Sequence, residues 1–337
     1  MRQILVTGGA GYIGSHTIVE LVKSGFEPII IDDFRNSERF VLDRLNKLTQ
    51  SNIKCYDLDC NNSQNLDQVF SENRIDGVIH FAAYKAVGES VEKPILYYEN
   101  NVGSLLKLIQ AMEKHQVNNL VFSSSCTVYG EPDSGVVSES SPISQPMSPY
   151  GHTKLICEDI LKNIIALGES SLKVILLRYF NPIGAHESAL IGELPLGKPN
   201  NLVPFITQSA VGKRGQLQVF GKDYDTPDGT CIRDFIHVSD LANAHVKSLD
   251  QLLEKRDLRF EVYNVGTGNG VSVLELIQKF EEVNNIKLNW EFTERRPGDV
   301  EKIYADDSKI KNSLNWSCKF SIEDALKHAW NWEKSLN

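Results

Sequence analysis

The stretch Ile4-Leu-Val-Thr-Gly-Gly-Ala-Gly-Tyr-Ile-Gly14 decides the fold predicted for this chain. It begins as a short apolar run, typical of a buried strand, and passes through Gly8, Gly11 and Gly14 into a helical pattern. Glycines let the turn form and let the backbone approach a pyrophosphate, whose charge lies at the positive end of the helix. The stretch therefore predicts a dinucleotide site, with a strand–helix turn that binds no ligand as the alternative.

Short apolar runs alternate with amphipathic stretches through the first half of the chain. Strands are predicted at 4–7, 28–32, 78–82, 119–123 and 173–178. Helices are predicted at about 13–24, 38–48, 94–114 and 150–166. Such alternation is typical of an α/β fold, here a Rossmann-type doubly wound parallel sheet with helices on both faces.

The second half is punctuated by more proline and glycine, beginning at Asn181-Pro182. We therefore predict a nucleotide-binding domain over 1–180 and a smaller C-terminal substrate-binding lobe over 181–337. A helical pattern at 238–255 and a strand pattern at 261–265 indicate that the chain returns to the first domain at about 238–266. A last helix is predicted at 322–336.

Composition limits the classes of function. The net charge is −9, from 35 basic and 44 acidic residues, without a basic cluster, which argues against nucleic acid or anionic membrane as partners. No apolar stretch approaches the roughly 20 residues of a membrane span, and the start shows no signal-peptide pattern. Six scattered cysteines lack metal-ligand or disulfide spacing, so we expect reduced thiols, no metal and a cytoplasmic location.

Asp32 ends the second predicted strand. A carboxylate there accepts the ribose hydroxyls and repels a 2′-phosphate, so the sequence favours NAD over NADP. Arg35 is close by and weakens this preference. Asp59 stands where the third strand should end, a suitable place for a contact to adenine.

Tyr150 and Lys154 are four residues apart, which places them on one face of a helix. An ammonium beside a phenol lowers its pKa from about 10 by roughly 1–3 units, toward that of an acid–base catalyst of alcohol chemistry. The serine cluster Ser123-Ser124-Ser125 precedes the pair. A solvated surface pair is the alternative, but the upstream glycines and serines favour an acid–base centre.

These features together resemble the extended short-chain dehydrogenase/reductases, and longer runs resemble the UDP-galactose (UDP-glucose) 4-epimerase family. The resemblance extends over about residues 1–333. It is carried by His80-Phe-Ala-Ala-Tyr-Lys-Ala-Val-Gly-Glu-Ser90, Ser123-Ser-Ser-Cys-Thr-Val-Tyr-Gly130, Leu177-Arg-Tyr-Phe-Asn-Pro182, Pro199-Asn-Asn-Leu202, Arg233-Asp-Phe-Ile-His237 and Arg296-Pro-Gly-Asp299.

The resemblance implies a redox-neutral reaction with tightly held NAD. Tyr150 would take the proton of the sugar 4-hydroxyl while hydride leaves C4, and the 4-keto sugar would turn over and receive the hydride on its other face. Ser125 would bond the reacting oxygen. Lys154 would lower the Tyr150 pKa and hold the nicotinamide ribose.

The resemblance also implies two sets of binding residues. The NAD contacts would be Gly8, Gly11, Tyr12, Ile13, Gly14, Asp32, Asp33, Phe34, Arg35, Asn36, Ser37, Asp59, Cys60, Phe81, Ala82, Ala83, Lys85, Asn100, Ser125, Tyr150, Lys154 and Phe180. The UDP-sugar contacts would be Lys85, Ser125, Tyr150, Asn181, Asn201, Leu202, Phe220, Arg233, Arg296, Asp299 and Ile303. Arginine forks suit a diphosphate, and Phe220 suits uracil.

Two finer expectations follow from the same resemblance. The helices at about 94–114 and 150–166 are similar to those that pair in a dimeric four-helix bundle, so a homodimer is expected. Ile303 occupies the position near the sugar's 2-substituent, where a tyrosine marks family members restricted to plain hexoses. Some activity on UDP-N-acetyl sugars is therefore expected, unless Tyr304 faces the pocket instead.

Other enzymes of this fold are the nearest alternatives. Sugar 4,6-dehydratases carry an Asp-Glu pair directly after the catalytic Ser or Thr, whereas this chain has Cys126-Thr127. Decarboxylases use a glutamate in that region, also absent here. A dehydrogenase that releases NADH and a non-catalytic NAD-binding module are less favoured.

Overall fold

The computed structural model describes residues 1–132, 134–255, 257–296 and 298–336. Pro297 of the predicted Arg296–Asp299 run and Asn337 of the predicted lobe lie outside the described residues. The chain divides into two compact units. The first comprises Met1–Val128, Gln145–Arg178 and Ala242–Tyr263, and the second comprises Tyr129–Ser144, Tyr179–Leu241 and Asn264–Asn337.

The elements follow one another along the chain in an order that alternates strands and helices at first. They are β1 Gln3–Thr7, α1 Tyr12–Lys23, β2 Glu27–Asp32, α2 Phe40–Thr49, β3 Lys54–Asp57, α3 Ser63–Ser71, β4 Ile75–His80, α4 Val87–Glu92, α5 Pro94–Tyr97, a π-helical turn Tyr98–Val102, α6 Gly103–Lys114, β5 Asn119–Ser125, a 3-10 turn Cys126–Tyr129, β6 Val136–Val137 and α7 Pro149–Ala166. There follow β7 Lys173–Tyr179, β8 Asn181–Ile183, α8 Leu202–Ala210, β9 Leu217–Phe220, β10 Ile232–His237, α9 Val238–Glu254, β11 Phe260–Val265, β12 Gly270–Ser272, α10 Val273–Asn284, β13 Trp290–Thr293, β14 Lys302–Ala305, α11 Ser308–Leu314 and α12 Ile322–Ser335.

The first unit is built on a seven-stranded sheet with the order β11-β7-β5-β4-β1-β2-β3. β1 pairs in parallel with β2 and with β4, and the β2–β3 and β4–β5 pairs are also parallel. Ile4, Leu5 and Val6 are fully buried, because helices cover both faces of such a sheet and each strand reads as a continuous apolar run. The predicted Rossmann-type α/β fold is confirmed.

One predicted strand is misplaced. The strand expected at 78–82 is β4, Ile75–His80, and the chain has left the sheet by Ala82. The departure is fixed by Thr7, whose carbonyl accepts the Phe81 N–H at 3.1 Å and whose hydroxyl accepts the Ala82 N–H at 3.3 Å. Residues 81–86 therefore form a loop at the carboxyl edge of the sheet, next to the glycine turn.

The second unit has its own sheets and its own core. Its larger sheet has the order β12-β10-β14-β6, with β8 also paired to β10, and a separate two-stranded sheet joins β13 to β9. Ile206 of α8, Phe235 of β10, Leu276 of α10 and Leu326 of α12 are buried in one apolar cluster. Within the described ranges, no helix is long and apolar enough to span a membrane.

Candidate active site

The turn between β1 and α1 requires glycine at Gly8 and Gly14. Gly8 adopts a left-handed φ of 68°, and its N–H donates to the Ile31 carbonyl at 2.9 Å. A Cβ on Gly14 would overlap the Gly8 carbonyl oxygen. α1 begins with Gly11 as its N-cap, without a side-chain cap and without an acidic residue in its first turn. The positive end of this helix is therefore open to an anion such as a pyrophosphate.

Asp32, the last residue of β2, connects the turn to the loop that follows. Its Oδ2 accepts the Ala10 N–H, and its Oδ1 accepts the Phe34 N–H and the Ser37 hydroxyl, each at 3.0 Å. Burial raises the pKa of the Asp32 carboxyl, and these three donors oppose that rise. The carboxylate is thus held in one orientation beside the glycine turn.

Arg35 is engaged with acidic neighbours. Its guanidinium forms ion pairs with Asp33 at 2.5 Å and with Asp59 at 2.7 Å. It also donates to the Tyr84 hydroxyl at 2.9 Å and to Asn100 Oδ1 at 3.4 Å. Two carboxylates therefore balance the Arg35 guanidinium, a cation that could otherwise attract a 2′-phosphate. The contacts of Arg35 bring together four of the predicted cofactor residues and Tyr84.

The π-helical turn between α5 and α6 contains a residue that the sequence did not reveal. Asn101 is buried; its amide accepts the Tyr84 N–H at 2.8 Å and donates to the Tyr84 carbonyl at 3.0 Å. It also donates to the Thr153 hydroxyl at 3.0 Å, and Thr153 donates to the Tyr150 carbonyl at 2.7 Å. Asn101 thereby fixes the loop 81–86 against α7. A helical sequence pattern does not show where a π turn occurs, although such turns are frequent at functional sites.

Tyr150 and Lys154 lie in the first turns of α7. The helix starts at Pro149 behind the N-cap Ser148, whose hydroxyl accepts the Gly151 N–H at 3.2 Å. Only 8% of Tyr150 and 4% of Lys154 is exposed, so this is no solvated surface pair. Lys154 Nζ donates to the Ser123 carbonyl at 2.7 Å, and burial lowers the pKa of the Lys154 ammonium to about 8.

Ser125 ends β5 and is also buried. Its hydroxyl oxygen accepts the Thr127 N–H at 3.2 Å and the Thr127 hydroxyl at 3.0 Å. With both acceptor positions used, the Ser125 hydroxyl proton is available for donation to a further oxygen. Thr127 was not among the predicted site residues, and its role follows only from this geometry.

In the second unit, strand register decides the orientation of Ile303. Arg233 of β10 is the register partner of Ile303 in β14, so the two side chains share one face of the sheet. Tyr304 points to the opposite face, where a Cβ on Gly270 would approach its ring within 3.1 Å. The register therefore places Ile303, rather than Tyr304, beside Arg233.

The two predicted arginines converge on one carboxylate. Asp299 Oδ1 lies 2.9 Å from Arg296 Nη2 and 3.8 Å from Arg233 Nη2. The Arg296 guanidinium also lies over the Phe220 ring, 5.9 Å from its centroid, and 38% of Phe220 is exposed. Two arginines and one carboxylate therefore lie together beside an exposed aromatic ring.

Known proteins match this chain over nearly its full length. A family model described as GDP-mannose 4,6 dehydratase matches residues 5–329. A UDP-glucose 4-epimerase of Pasteurella multocida is 49% identical over 98% of this chain and 97% of its own length. The chain belongs to the UDP-glucose 4-epimerase family. The resemblance inferred from the motifs is thereby confirmed.

Solved structures of this family superpose closely on the chain. The UDP-glucose 4-epimerase of Bifidobacterium longum, in complex with NAD+ and UDP, is 46% identical with a TM-score of 0.94, covering 99% of this chain and 98% of that one. That of Stenotrophomonas maltophila, with bound NAD and formylated UDP-arabinopyranose, is 43% identical with a TM-score of 0.96, covering 100% and 99%.

The other residues predicted from the family resemblance are distributed over both units. Tyr12 and Ile13 open α1, Cys60 is buried after β3, and Asn36, Ala83 and Lys85 lie in loops of the first unit. Phe180, Asn181, Asn201 and Leu202 belong to the second unit. Asn201 is the N-cap of α8 and donates to Glu193 at 2.6 Å, and Asn181 pairs with Phe235 in β10.

Proposed function

We propose that this chain interconverts UDP-galactose and UDP-glucose by transient oxidation at C4 of the sugar. It is an NAD-dependent epimerase of the family to which it belongs. The observation that carries the proposal is the pair Tyr150 and Lys154, buried on one face of α7, with the Lys154 ammonium fixed on the Ser123 carbonyl. A buried phenol beside a fixed cation is the arrangement that an acid–base catalyst of an alcohol requires.

The residues of the first unit fit NAD. The turn of Gly8, Gly11 and Gly14 has no space for a Cβ at Gly14, and it presents the open end of α1 to the pyrophosphate. Asp32 would accept the ribose hydroxyls. Because Asp33 and Asp59 already balance Arg35, the site selects NAD rather than NADP. The first unit thus serves as the NAD-binding domain.

When bound, NAD would accept the hydride from C4 of the sugar and would later donate it back. The Tyr150 phenolate takes the proton of the sugar 4-hydroxyl and later returns it to the C4 oxygen of the 4-keto sugar, which completes the other epimer. The Lys154 ammonium stabilises this phenolate, and Ser125, held by Thr127, donates a hydrogen bond to the reacting oxygen.

The second unit serves as the UDP-sugar lobe. Arg233 and Arg296 would pair with the diphosphate, whose two charges outweigh the single carboxylate of Asp299. Phe220 would stack on uracil, and Asn181, Asn201 and Leu202 would complete the nucleotide contacts. Lys85 of the first unit would contribute to both ligands.

The substrate range extends to UDP-N-acetyl sugars. Ile303 shares its sheet face with Arg233, and isoleucine is shorter than tyrosine, so room is left for an acetamido group. Isoleucine still fills more space than cysteine or serine. Turnover of N-acetylated substrates should therefore remain below that of UDP-galactose.

A 4,6-dehydratase is the second candidate, because the matching family model is described by that activity. Elimination of water from C5 and C6 requires acid–base groups directly after the catalytic serine. At this point the chain has Cys126 and Thr127, and the Thr127 hydroxyl is bonded to Ser125. These side chains supply no carboxylate, which favours epimerisation.

A homodimer is supported by exposed apolar residues on one stretch of helices. Val91 of α4, Ile95 of α5 and Leu106 of α6 are exposed at 62%, 71% and 43%. Apolar exposure of this kind on neighbouring helices is typical of an interface. We also place the protein in the cytoplasm, since its six cysteines are all free thiols.

The test is an assay of the purified protein on UDP-galactose, run without added NAD and again with NAD in excess. An epimerase yields UDP-glucose while absorbance at the NADH wavelength stays flat. Steady NADH release would indicate a dehydrogenase, a 4-keto-6-deoxy product would indicate a dehydratase, and binding without product would indicate a sensor. Any of these three results contradicts the proposal.

A further inference from the structure

Behind the acid–base pair lies a buried charged cluster with no assigned role: Ser124, Glu158 and Arg178. Glu158 is fully buried and Arg178 nearly so. Arg178 donates to Glu158 through Nε at 2.9 Å and through Nη2 at 2.6 Å, a two-point contact between guanidinium and carboxylate. The Ser124 hydroxyl donates to the same carboxylate at 2.6 Å.

The position of this cluster connects it to the reacting groups on two sides. Ser124 stands between Ser123, whose carbonyl accepts the Lys154 ammonium, and Ser125, which is predicted to bond the substrate. Glu158 follows Lys154 by one helical turn on the same face of α7. The cluster therefore joins β5, α7 and the end of β7 next to the Ser123–Lys154 hydrogen bond.

We propose that Glu158 is a positioning residue of the epimerase reaction. Through its hydrogen bond with Ser124, it fixes the end of β5 at Ser123–Ser125 and thereby the position of the Lys154 ammonium relative to Ser125. This inference rests on the proposed function of Tyr150, Lys154 and Ser125. Glu158 is fully buried and would act through its neighbours Ser124 and Arg178.

The charges around Lys154 show why an anion is needed there. On β4, burial and the Lys154 charge lower the pKa of His80 to about 3, so His80 is neutral at working pH. On α7, burial raises the pKa of the Cys157 thiol to about 12, and Cys157 is likewise neutral. Burial opposes ionisation of Glu158, but its bonds to Arg178 and Ser124 lower the Glu158 pKa.

Glu158 is therefore ionised, and its charge helps to keep a proton on the buried Lys154. Two cations face Glu158 among the described residues. They are Arg178 and the partly exposed Lys162, whose Nζ lies 3.4 Å from Glu158 Oε2. Removing the carboxylate leaves these cations and makes the surroundings of Lys154 more positive. The Lys154 ammonium would then lose its proton at lower pH.

The test compares Glu158→Gln, Glu158→Asp and Ser124→Ala on UDP-galactose across pH. In Glu158→Gln we expect kcat to fall roughly 10- to 100-fold with little change in KM, because misplaced reacting groups cost rate more than binding. The alkaline limb of the profile should move to lower pH by about 1 unit. Glu158→Asp keeps the charge and should keep the position of that limb.

Ser124→Ala removes the hydrogen bond to Glu158 and should lower kcat several-fold. Because it keeps every charge and the Arg178–Glu158 ion pair, the alkaline limb of the pH profile should stay in place. The matched control is Glu333→Gln in the second unit, which also removes a buried carboxylate, one that pairs with Lys213 at 2.8 Å. It should lower the melting temperature and leave the pH profile unchanged.

The inference is overturned if Glu158→Gln only loses stability and its pH profile superimposes on that of the parent. Where Glu158→Gln does not fold, a folded Ser124→Ala protein with parental kcat overturns it as well. Turnover by the parent is measured in the same experiment. A parent that does not convert UDP-galactose refutes the proposed function instead, so the two failures are distinguishable.

Discussion

The Lys154 ammonium donates a 2.7 Å hydrogen bond to the carbonyl oxygen of Ser123, inside a buried segment of the first unit. This contact fixes the cation at the carboxyl end of β5, two residues before Ser125. Helix α7 and the central sheet are thus joined through Lys154. The arrangement of the acid–base pair is set by the fold and does not depend on a flexible surface side chain.

The first prediction concerns pH. Burial lowers the pKa of Lys154 to about 8, so its positive charge is present below that pH and is lost as the pH rises through it. Since the charge stabilises the Tyr150 phenolate, kcat/KM for UDP-galactose should fall on the alkaline side of about pH 8. Lys154→Met should lack this limb and show far lower activity. An unchanged alkaline limb in Lys154→Met would show that another group titrates there.

The second prediction concerns the cofactor preference. Asp32→Ala should weaken NAD binding roughly 10- to 100-fold, the range expected for lost hydrogen bonds to a charged group. It should also reduce the ratio of the affinity for NAD to the affinity for NADP. Calorimetry with both dinucleotides measures this. Asp57→Ala, which removes the carboxylate beside Asp32 in the neighbouring strand, is the control. Equal losses in the two variants would mean that Asp32 has no specific role.

The third prediction concerns the glycine turn. Gly14→Ala should lower the free energy of unfolding by about 1–3 kcal/mol and reduce the NAD that copurifies, because the new Cβ meets the Gly8 carbonyl oxygen. Thermal unfolding and the NAD content of the purified protein test this. Gly215→Ala has open space around the new Cβ and should match the parent in both measurements.

The fourth prediction concerns substrate range. The parent should turn over UDP-N-acetylgalactosamine more slowly than UDP-galactose. In Ile303→Tyr, the ratio of activity on UDP-N-acetylgalactosamine to activity on UDP-galactose should fall by roughly 10- to 200-fold. Tyr304→Phe changes the opposite face of β14 and should leave the ratio unaltered. An unaffected ratio in Ile303→Tyr would remove this residue from the sugar pocket.

The fold of the first unit could be predicted because its signals are local. The apolar run of β1, the glycines and the onset of α1 are contiguous, and each strand of a covered parallel sheet reads as an apolar run. The strand pairs of the second unit could not be read in this way. Ile232 and Lys302 are register partners although they lie 70 positions apart in the sequence.

Some features of the candidate site could likewise be predicted from local sequence, and others could not. The spacing of Tyr150 and Lys154, together with the upstream glycines and serines, predicted an acid–base centre, and the place of Asp32 at a strand end predicted a ribose contact. The neutralisation of Arg35 by Asp59, the bonds of Asn101 and the cluster around Glu158 depend on contacts between distant elements. No periodicity signals such contacts. Strand register likewise places Ile303, and not Tyr304, on the sheet face of Arg233, an orientation that the sequence alone left open.

The turnover of Tyr150→Phe on UDP-galactose tests the central claim most directly. The substitution removes one hydroxyl from a buried ring and keeps the ring in place, so folding and NAD content should match the parent. If Tyr150 is the acid–base catalyst, activity falls by roughly 10²- to 10⁴-fold. A folded, NAD-containing Tyr150→Phe protein that epimerises at a rate near that of the parent would contradict the account.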